Sequence, residues 1–269
     1  MASKKILFVR SGGGAGGLCV HAGITAALEF NKIHSTHNAG VSAGAIMAAF
    51  DSVGFSAGET AAIIQALEDS DIHQARRLWK FRIPWIDHFL ANEPLLEILQ
   101  KYIPSSVSKL EKPLEVYATR FETGRLVELA NAKFCADLRQ ALLASAAICG
   151  AFPKVNIAGE LYVDGGVRSN LPIPKNWREF DQVYLLIATP PPDAYQARGG
   201  LITNLLMNIG WLMQDQIQDE IEKVSDEIAT GKVVVIWPPF GHPKGSFRFD
   251  HPLITAAYSW TRKLLERAA

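Results

Sequence analysis

The chain has 269 residues, of which 48% are hydrophobic and 20% are charged, so it can bury a large core, and an α/β chain of this length commonly forms one domain. Lys and Arg together number 27, as do Asp and Glu, so no net charge favours nucleic acid as a partner. The N-terminus lacks the long apolar region of a signal peptide, and no later apolar run approaches the length of a membrane-spanning helix. We therefore expect one cytoplasmic domain over residues 1–269.

Three cysteines, Cys19, Cys135 and Cys149, have neither the even count of a disulfide framework nor the spacing of metal ligands. Each of them lies among small or apolar residues. We expect buried free thiols, and we expect the protein to work without a metal or another cofactor.

A glycine-rich stretch follows the first predicted strand. Residues 6–9 are a short apolar run ended by Arg10, which is typical of a buried strand in a parallel sheet. Residues 11–17, Ser-Gly-Gly-Gly-Ala-Gly-Gly, then precede a predicted helix over residues 18–30. Because glycine lets the backbone approach a ligand closely, this stretch predicts an anion-binding loop. A turn for close helix packing explains the same residues.

The same stretch also fits the dinucleotide-binding pattern Gly-x-Gly-x-x-Gly at Gly12, Gly14 and Gly17. A dinucleotide site uses an acidic residue about twenty positions further on to hold the ribose. Residues 35–38, in a weak second strand predicted between residues 33 and 39, offer no such residue. The pattern therefore lacks its expected support.

A second motif, Gly-Val-Ser-Ala-Gly-Ala, occupies residues 40–45. Gly40, Ser42 and Gly44 fit Gly-x-Ser-x-Gly, the pattern of a nucleophile elbow, in which a serine lies on a sharp turn between a strand and a helix. Residues 43–50 carry no charge and predict a buried helix whose N-terminus points at the serine. Since five-residue matches also occur by chance, a plain turn stays open on this motif alone.

The next stretch combines a capped helix with a basic and aromatic segment. Ser56 and Glu59 predict a capping box at the start of a helix over residues 56–67. Residues 76–85 alternate cations with large aromatic and aliphatic side chains, which suits peripheral contact with a lipid–water interface. An ordinary cap segment with solvated charges and buried rings explains the same pattern.

The remaining elements place the chain in the α/β class. Helices are predicted over residues 93–102, 137–147, 201–228 and 252–266. Strands are predicted over residues 114–119, 125–129, 155–157, 160–163, 183–188 and 232–237.

An acidic motif ends the hairpin predicted over residues 155–163. Asp164 is followed by Gly165 and Gly166, so a carboxylate at the end of a strand has little backbone in its way. This arrangement suits a catalytic base. An ordinary Asp-Gly turn explains the same three residues.

Together, the glycine-rich stretch, the Gly-x-Ser-x-Gly motif and the Asp-Gly-Gly motif resemble the patatin-like phospholipase family in content, order and spacing. The resemblance runs from about residue 5 to residue 187, and it implies a three-layer α/β/α fold around a mostly parallel sheet. Further matches are residues 118–119, 123–124, 144–147, 152–153 and 162–166, Asn170 and Pro172.

The resemblance also implies a serine acyl hydrolase for lipid esters, of phospholipase A or lysophospholipase type, with a Ser-Asp dyad. Ser42 would be the nucleophile and Asp164 its base. The oxyanion hole would be formed by the N–H groups of Gly12, Gly13 and Gly14. The motifs would be supported by Gly40, Gly44, Gly165 and Gly166.

A histidine triad is the competing mechanism, because Ser42, Asp164 and His242 follow the chain order of α/β-hydrolases. Patatin-like enzymes use no histidine, and triads are recognised by geometry rather than by order. Asp164 also lies on the motif where the family keeps its base. These points favour the dyad.

The chain departs from the family pattern at three positions. Gly16 stands where an Arg or Lys is usual, and Cys149 and Lys154 stand where prolines are common. None of these changes removes a catalytic group, but a glycine at position 16 alters the charge near the oxyanion hole.

Two other functions stay open at this stage. The first is an esterase that acts on neutral lipid or on small soluble esters. The second is a nucleotide-binding or regulatory protein that uses residues 12–17 as a phosphate cradle while Ser42 is silent. The presence of both Ser42 and Asp164 argues against the second function.

Overall fold

The computed structural model describes residues 4–72, 74–75, 88, 90–131, 136–190, 201–241 and 247–268, with only the backbone described at 74–75, 201–209 and 268. The helices are α1 Gly14–Phe30, α2 Ala43–Val53, α3 Ala57–Ala66, α4 Asp69–Ile72, α5 Glu93–Tyr102, α6 Leu138–Ser145, α7 Leu201–Glu222, α8 Ser225–Ala229 and α9 Pro252–Ala268. The strands are β1 Ile6–Arg10, β2 His37–Val41, β3 Gln74–Ala75, β4 Leu90–Ala91, β5 Leu114–Arg120, β6 Leu126–Glu128, β7 Val155–Ile157, β8 Glu160–Asp164, β9 Gln182–Leu186 and β10 Val233–Ile236.

Eight strands form one mixed sheet in the order β10-β9-β1-β2-β5-β8-β7, with β6 paired to β5. The four neighbouring pairs from β10 to β5 are parallel. The pairs β5–β6, β5–β8 and β7–β8 are antiparallel. The prediction of a mostly parallel sheet is confirmed, and the antiparallel part begins beyond β5.

Helices cover both faces of this sheet. Because successive side chains of a strand point to opposite faces, Phe8 of β1 packs into one core cluster with residues of α1, α2 and α6. Leu7 and Val9 pack into a second cluster with Ile217 of α7 and with Val224. The predicted three-layer α/β/α architecture is therefore confirmed.

Two helix predictions differ most from the structure. Helix α1 begins at Gly14 rather than at residue 18, since the Gly17 N–H already donates to the Gly13 carbonyl at 2.9 Å. The helix predicted over residues 201–228 is divided, because α7 ends at Glu222 and α8 begins after a turn at Val224. The turn leaves Val224 buried in the core.

The structure also bears on the predicted surface features. Cys19 is buried as expected, but Cys149 is exposed in the turn after α6, so the expectation of a buried thiol was wrong there. Cys135, His242 and the segment 76–85 lie outside the described residues, so predictions about them stay predictions. None of the helices in the described ranges is long and apolar enough to cross a membrane.

A buried ionic network joins the end of β1 to helix α2. Arg10 is completely buried and donates to Asn38 Oδ1 and to Asp51 Oδ2, each at 2.6 Å. Lys112 Nζ donates to Asp51 Oδ1 at 2.6 Å. Burial alone would raise the pKa of Asp51, but the two cations outweigh it and lower that pKa. The network fixes the strand from which the glycine-rich loop departs.

Candidate active site

The strand pairing brings the three sequence motifs together. Gly40 at the end of β2 lies opposite Arg10 at the end of β1, so the elbow and the glycine-rich loop leave neighbouring strands. On the other side, β5 separates β2 from β8, and Ala118 of β5 lies opposite Asp164. Ligand sites of α/β sheets lie at the carboxyl ends of the strands. The candidate site lies at the carboxyl ends of β1 and β2.

Ser42 occupies a strained turn between β2 and α2. Its backbone angles are φ 53° and ψ −127°, which residues with a side chain rarely adopt. A Cβ atom at Gly40 would lie 2.6 Å from the backbone of Gly44, and a Cβ atom at Gly44 would collide with the backbone at the end of β1. The two glycines therefore let the turn close, and the surrounding structure must hold the strain.

Ser145, the last residue of α6, holds this turn. Its Oγ accepts a hydrogen bond from the Ser42 N–H at 2.9 Å and donates one to the Tyr117 carbonyl at 2.6 Å. Ser145 is completely buried, so water cannot take over either bond. One hydroxyl thus couples the serine turn to strand β5.

Asp164 ends β8 and is almost completely buried, with 1% of its surface exposed. Its Oδ1 accepts a hydrogen bond from the Gly166 N–H at 2.7 Å. Burial raises the pKa of Asp164 to about 6, although its interactions with the Ser42 hydroxyl and with the Gly166 N–H lower it. Asp164 is therefore ionised at neutral pH and has a higher proton affinity than an exposed aspartate.

Asp164 Oδ2 has no hydrogen-bond partner among the residues that the structure describes. The Ser42 hydroxyl is close enough to lower the pKa of the carboxyl group, yet its contact does not meet the geometry of a hydrogen bond. Such contacts are often long in a free enzyme and shorten when substrate binds. An unpaired buried carboxylate oxygen beside a serine is well suited to accept a proton.

The glycine-rich loop is braced through Gly12. The Gly12 carbonyl accepts hydrogen bonds from the Ser11 hydroxyl at 2.9 Å and from the Thr189 hydroxyl at 3.0 Å. The Gly12 N–H donates to the Asn170 carbonyl at 3.3 Å, and Asn170 Nδ2 donates to Thr189 Oγ1 at 2.7 Å. A Cβ atom at Gly12 would lie 3.4 Å from the Ser42 Cβ, so the loop lies directly beside the serine.

The N–H groups of Gly13 and Gly14 donate no hydrogen bond within the described part of the chain. They begin α1, where the helix dipole adds to their own positive partial charge. Of the three glycines predicted to form an oxyanion hole, Gly12 therefore has its N–H engaged, and Gly13 and Gly14 have theirs available for a ligand.

An apolar cleft begins at Ser42 and encloses about 430 Å³, including its open mouth. Helix α1 contributes Ala15 and Leu18, and α2 contributes Ala43 and Ile46. Ser42 is the single polar residue among the described residues that line the cleft, so the cleft suits a hydrocarbon group.

A family model described as patatin-like phospholipase matches residues 8–177. This span is more than half of the chain and includes the glycine-rich loop, Ser42 and Asp164. The chain belongs to the patatin-like phospholipase family. The resemblance drawn from the sequence is confirmed, and membership supports a lipid hydrolase.

Two solved structures are similar to this chain, and the likeness of the first supports the fold. VipD from Legionella pneumophila matches over 98% of this chain and 67% of its own, with 17% identity and a TM-score of 0.56. ExoU from the type III secretion system of Pseudomonas aeruginosa, in complex with SpcU, matches over 98% of this chain and 52% of its own, with 17% identity and a TM-score of 0.48. A comparison with curated proteins gives no match.

The structure brings together most of the residues that the patatin-like motifs singled out. The same end of the sheet, where β1 and β2 finish, holds Ser42, Asp164 and the glycines 12–14. His242, the third member of the competing triad, lies outside the described residues. Sequence reasoning gave no role to Ser145 and Thr189, although Ser145 lies in a stretch that matches the family. Their hydroxyl partners come from distant parts of the chain, so no local pattern indicates these roles.

Proposed function

We propose that this chain is a serine acyl hydrolase that cleaves fatty-acyl esters of lipids and phospholipids, with Ser42 as nucleophile and Asp164 as its base. The observation that carries the proposal is the placement of a strained serine between a buried carboxylate and two unengaged glycine N–H groups. Free serine is a poor nucleophile near neutral pH and needs an adjacent base. Asp164 is the base that this site offers.

The reaction would begin when the Ser42 Oγ attacks the ester carbonyl carbon and its proton passes to Asp164. The negative charge on the carbonyl oxygen would be stabilised by the N–H groups of Gly13 and Gly14. Asp164 would then return the proton to the leaving alcohol, which gives an acyl-enzyme on Ser42. Water, deprotonated by Asp164, would release the fatty acid and regenerate the serine.

The cleft supports a lipid as the source of the ester. Its lining is apolar apart from Ser42, and burying a polar group there without a hydrogen-bond partner would cost free energy. An acyl chain has no polar group and can be buried there without this cost. The polar alcohol half of the ester would therefore leave through the open side of the site.

Covalent labelling with a fluorophosphonate ester tests the proposal. We expect the chain to label, because the reagent needs an activated serine and an oxyanion hole. Ser42→Ala should abolish labelling, Asp164→Asn should slow it strongly, and His242→Ala should leave it unchanged. Loss of labelling in His242→Ala would favour the histidine triad instead.

A chain that does not label would contradict the proposal. The phosphate-cradle alternative would then be tested by titration with NAD and ATP, and tight binding would support it. If the chain labels and hydrolyses small soluble esters but no phospholipid vesicle, the Ser42–Asp164 dyad is supported and the substrate is a soluble ester rather than a lipid.

Ser145 is expected to act as a positioning residue. Ser145→Ala would leave the buried Ser42 N–H without its acceptor, so the strained turn would relax and kcat for an ester would fall about tenfold or more with little change in KM. Ser145→Thr keeps the hydroxyl and should recover most of this loss.

The control is Ser52→Ala, which removes another completely buried hydroxyl. The Ser52 hydroxyl accepts a hydrogen bond of 3.0 Å from Asn38 Nδ2 and makes no hydrogen bond to the elbow. Its kcat should stay near the wild-type value. Equal losses in Ser145→Ala and Ser52→Ala would indicate general destabilisation and contradict a positioning role.

A further inference from the structure

Helix α7 binds, through two glutamines, the segments that hold the glycine-rich loop. Gln214 is almost completely buried, and its Nε2 donates to the Pro190 carbonyl at 2.8 Å. Gln216 is partly buried, and its Oε1 accepts a hydrogen bond from the Asn170 N–H at 3.0 Å. Asn170 braces the loop directly, and Pro190 follows Thr189, which braces it as well. Each glutamine therefore supports one of the two braces.

Gln216 holds a short segment of the chain at both ends. Its Nε2 donates to the Val167 carbonyl at 3.3 Å, while its Oε1 accepts from the Asn170 N–H. The segment begins directly after Gly166, whose N–H donates to the Asp164 carboxylate. One side-chain amide thus fixes the piece of chain that leaves the turn of the proposed base.

The far end of this segment contacts the glycine-rich loop. The Asn170 carbonyl accepts a hydrogen bond from the Gly12 N–H at 3.3 Å, and a Cβ atom at Gly12 would collide with Asn170 Oδ1. Gly12 directly precedes Gly13, the first of the two unengaged N–H donors. A shift of the segment would therefore change the distance between Asp164 and the oxyanion donors.

Helix α7 is anchored in the core beside these glutamines. Ile217 is completely buried and packs in the second core cluster with Leu7 and Val9 of β1. The helix lies beyond residues 8–177, the part of the chain that matches the family model. The contacts that the two glutamines make are therefore additional to the matched motifs.

We infer that Gln214 and Gln216 are positioning residues, which fix the oxyanion loop relative to Asp164. This inference rests on the proposed acyl hydrolase function and adds residues of α7 to its site. The two amides do not titrate, so they act only through Asn170 and Thr189. A misplacement of about 1 Å can cost about a hundredfold in rate, so a small shift of the braces is enough to reduce activity.

The first test measures kcat and KM for p-nitrophenyl butyrate in Gln216→Met and Gln214→Met. Methionine is close to glutamine in length but cannot replace its hydrogen bonds. We expect kcat to fall about tenfold or more in Gln216→Met with little change in KM, because both ends of the segment are released. Gln214→Met should show the same pattern with a smaller loss. The two variants remove separate contacts, so either of them carries the test if the other is unstable.

The matched control is Gln182→Met. Gln182 is also partly buried, and its Nε2 donates to the Gly231 and Lys232 carbonyls at 2.7 and 2.9 Å. It lies opposite Ile6, at the end of the sheet away from the candidate site. Its kcat should stay near the wild-type value, and thermal unfolding compares its loss of stability with that of Gln216→Met. An equal fall of kcat in both variants, or a change in KM alone, would overturn the inference.

Hydrogen exchange separates this inference from the proposed function. The Gly12 N–H can be followed by NMR in a chain labelled with 15N-glycine. Its exchange should become about tenfold faster in Gln216→Met and stay unchanged in Gln182→Met, because only the first variant loosens the Asn170 carbonyl that accepts this N–H. If the wild type hydrolyses no ester, the proposed function fails, and faster exchange still supports the support of the loop by Gln216. An unchanged exchange rate of Gly12 in Gln216→Met would overturn the inference.

Discussion

Replacing Asp164 by asparagine should lower kcat/KM for an ester about a thousandfold and, at the same time, make the folded chain more stable at pH 8. The loss of activity follows because the amide cannot accept the serine proton, and a positioned general base typically contributes 10²–10⁴-fold. The amide oxygen that Asp164→Asn introduces can still accept the hydrogen bond from the Gly166 N–H, so the turn keeps its shape.

The gain in stability follows from the raised pKa of Asp164, from 3.8 to about 6. A carboxyl group with a raised pKa stabilises the folded state below its unfolded pKa, and this contribution is lost as the pH rises through the folded pKa. Wild-type Asp164 therefore stabilises the chain less at pH 8 than at pH 5. Asparagine does not titrate, so the Tm difference between variant and wild type should grow by about 3 °C between pH 5 and pH 8.

Thermal unfolding at the two pH values, followed by circular dichroism, measures this difference. Asp215→Asn is the control, because Asp215 is an exposed carboxylate on α7. Its Tm relative to the wild type should not change with pH by a comparable amount. A Tm difference for Asp164→Asn that is the same at both pH values would contradict the burial of an ionised Asp164.

The second large effect is expected at Gly13. A Cβ atom there would lie 2.9 Å from the Gly17 Cα and 3.1 Å from the Ala188 carbonyl oxygen, and neither backbone atom can move without shifting the loop. Gly13→Ala should therefore displace the two unengaged N–H groups from the site. Loss of one oxyanion donor typically costs about 10²–10³-fold in kcat, and we expect a loss of that size with little change in KM.

Gly17→Ala is the matched control, since it adds the same methyl group one turn further along α1. Its Cβ would lie 3.6 Å from the Cβ atoms of Ala43 and Ala188, which is ordinary van der Waals contact. Alanine is also favoured over glycine inside a helix by about 1 kcal/mol. Gly17→Ala should keep its activity and gain Tm, and equal activity in the two variants would contradict an oxyanion role for the loop.

Much of the fold could be predicted because its signals are local. The capping box is an example, since the Ser56 side chain accepts from the Glu59 N–H at the start of α3. Helix α5 has the predicted bounds, and the hairpin β7–β8 delivers Asp164 to the edge of the sheet. Short apolar runs and turn residues were enough to locate these elements.

The features that escaped prediction depend on contacts between distant residues. Arg10 ended an apolar run and gave no sign that it would be buried, because its partners Asn38 and Asp51 lie on other elements. The exposure of Cys149 depends on how the turn after α6 packs. Small apolar neighbours in the sequence do not determine that packing.

The properties of the glycine-rich loop could be predicted from the sequence only in part. Its composition predicted an anion site, and the structure leaves the N–H groups of Gly13 and Gly14 available. The engagement of Gly12 could not be predicted, because its partners Asn170 and Thr189 arrive from distant parts of the chain. Sequence motifs indicated where the site is, and tertiary contacts determine which donors it keeps.

The hydrogen bond between Ser42 and Ser145 joins residues that are 103 positions apart. A contact of such long sequence separation can be made only after a large loop of the chain has closed, which costs conformational entropy. The strained serine turn has no other side-chain support for its N–H among the described residues. We therefore expect a refolding chain to gain a reactive serine only once α6 has docked against the sheet and brought Ser145 to the Ser42 N–H.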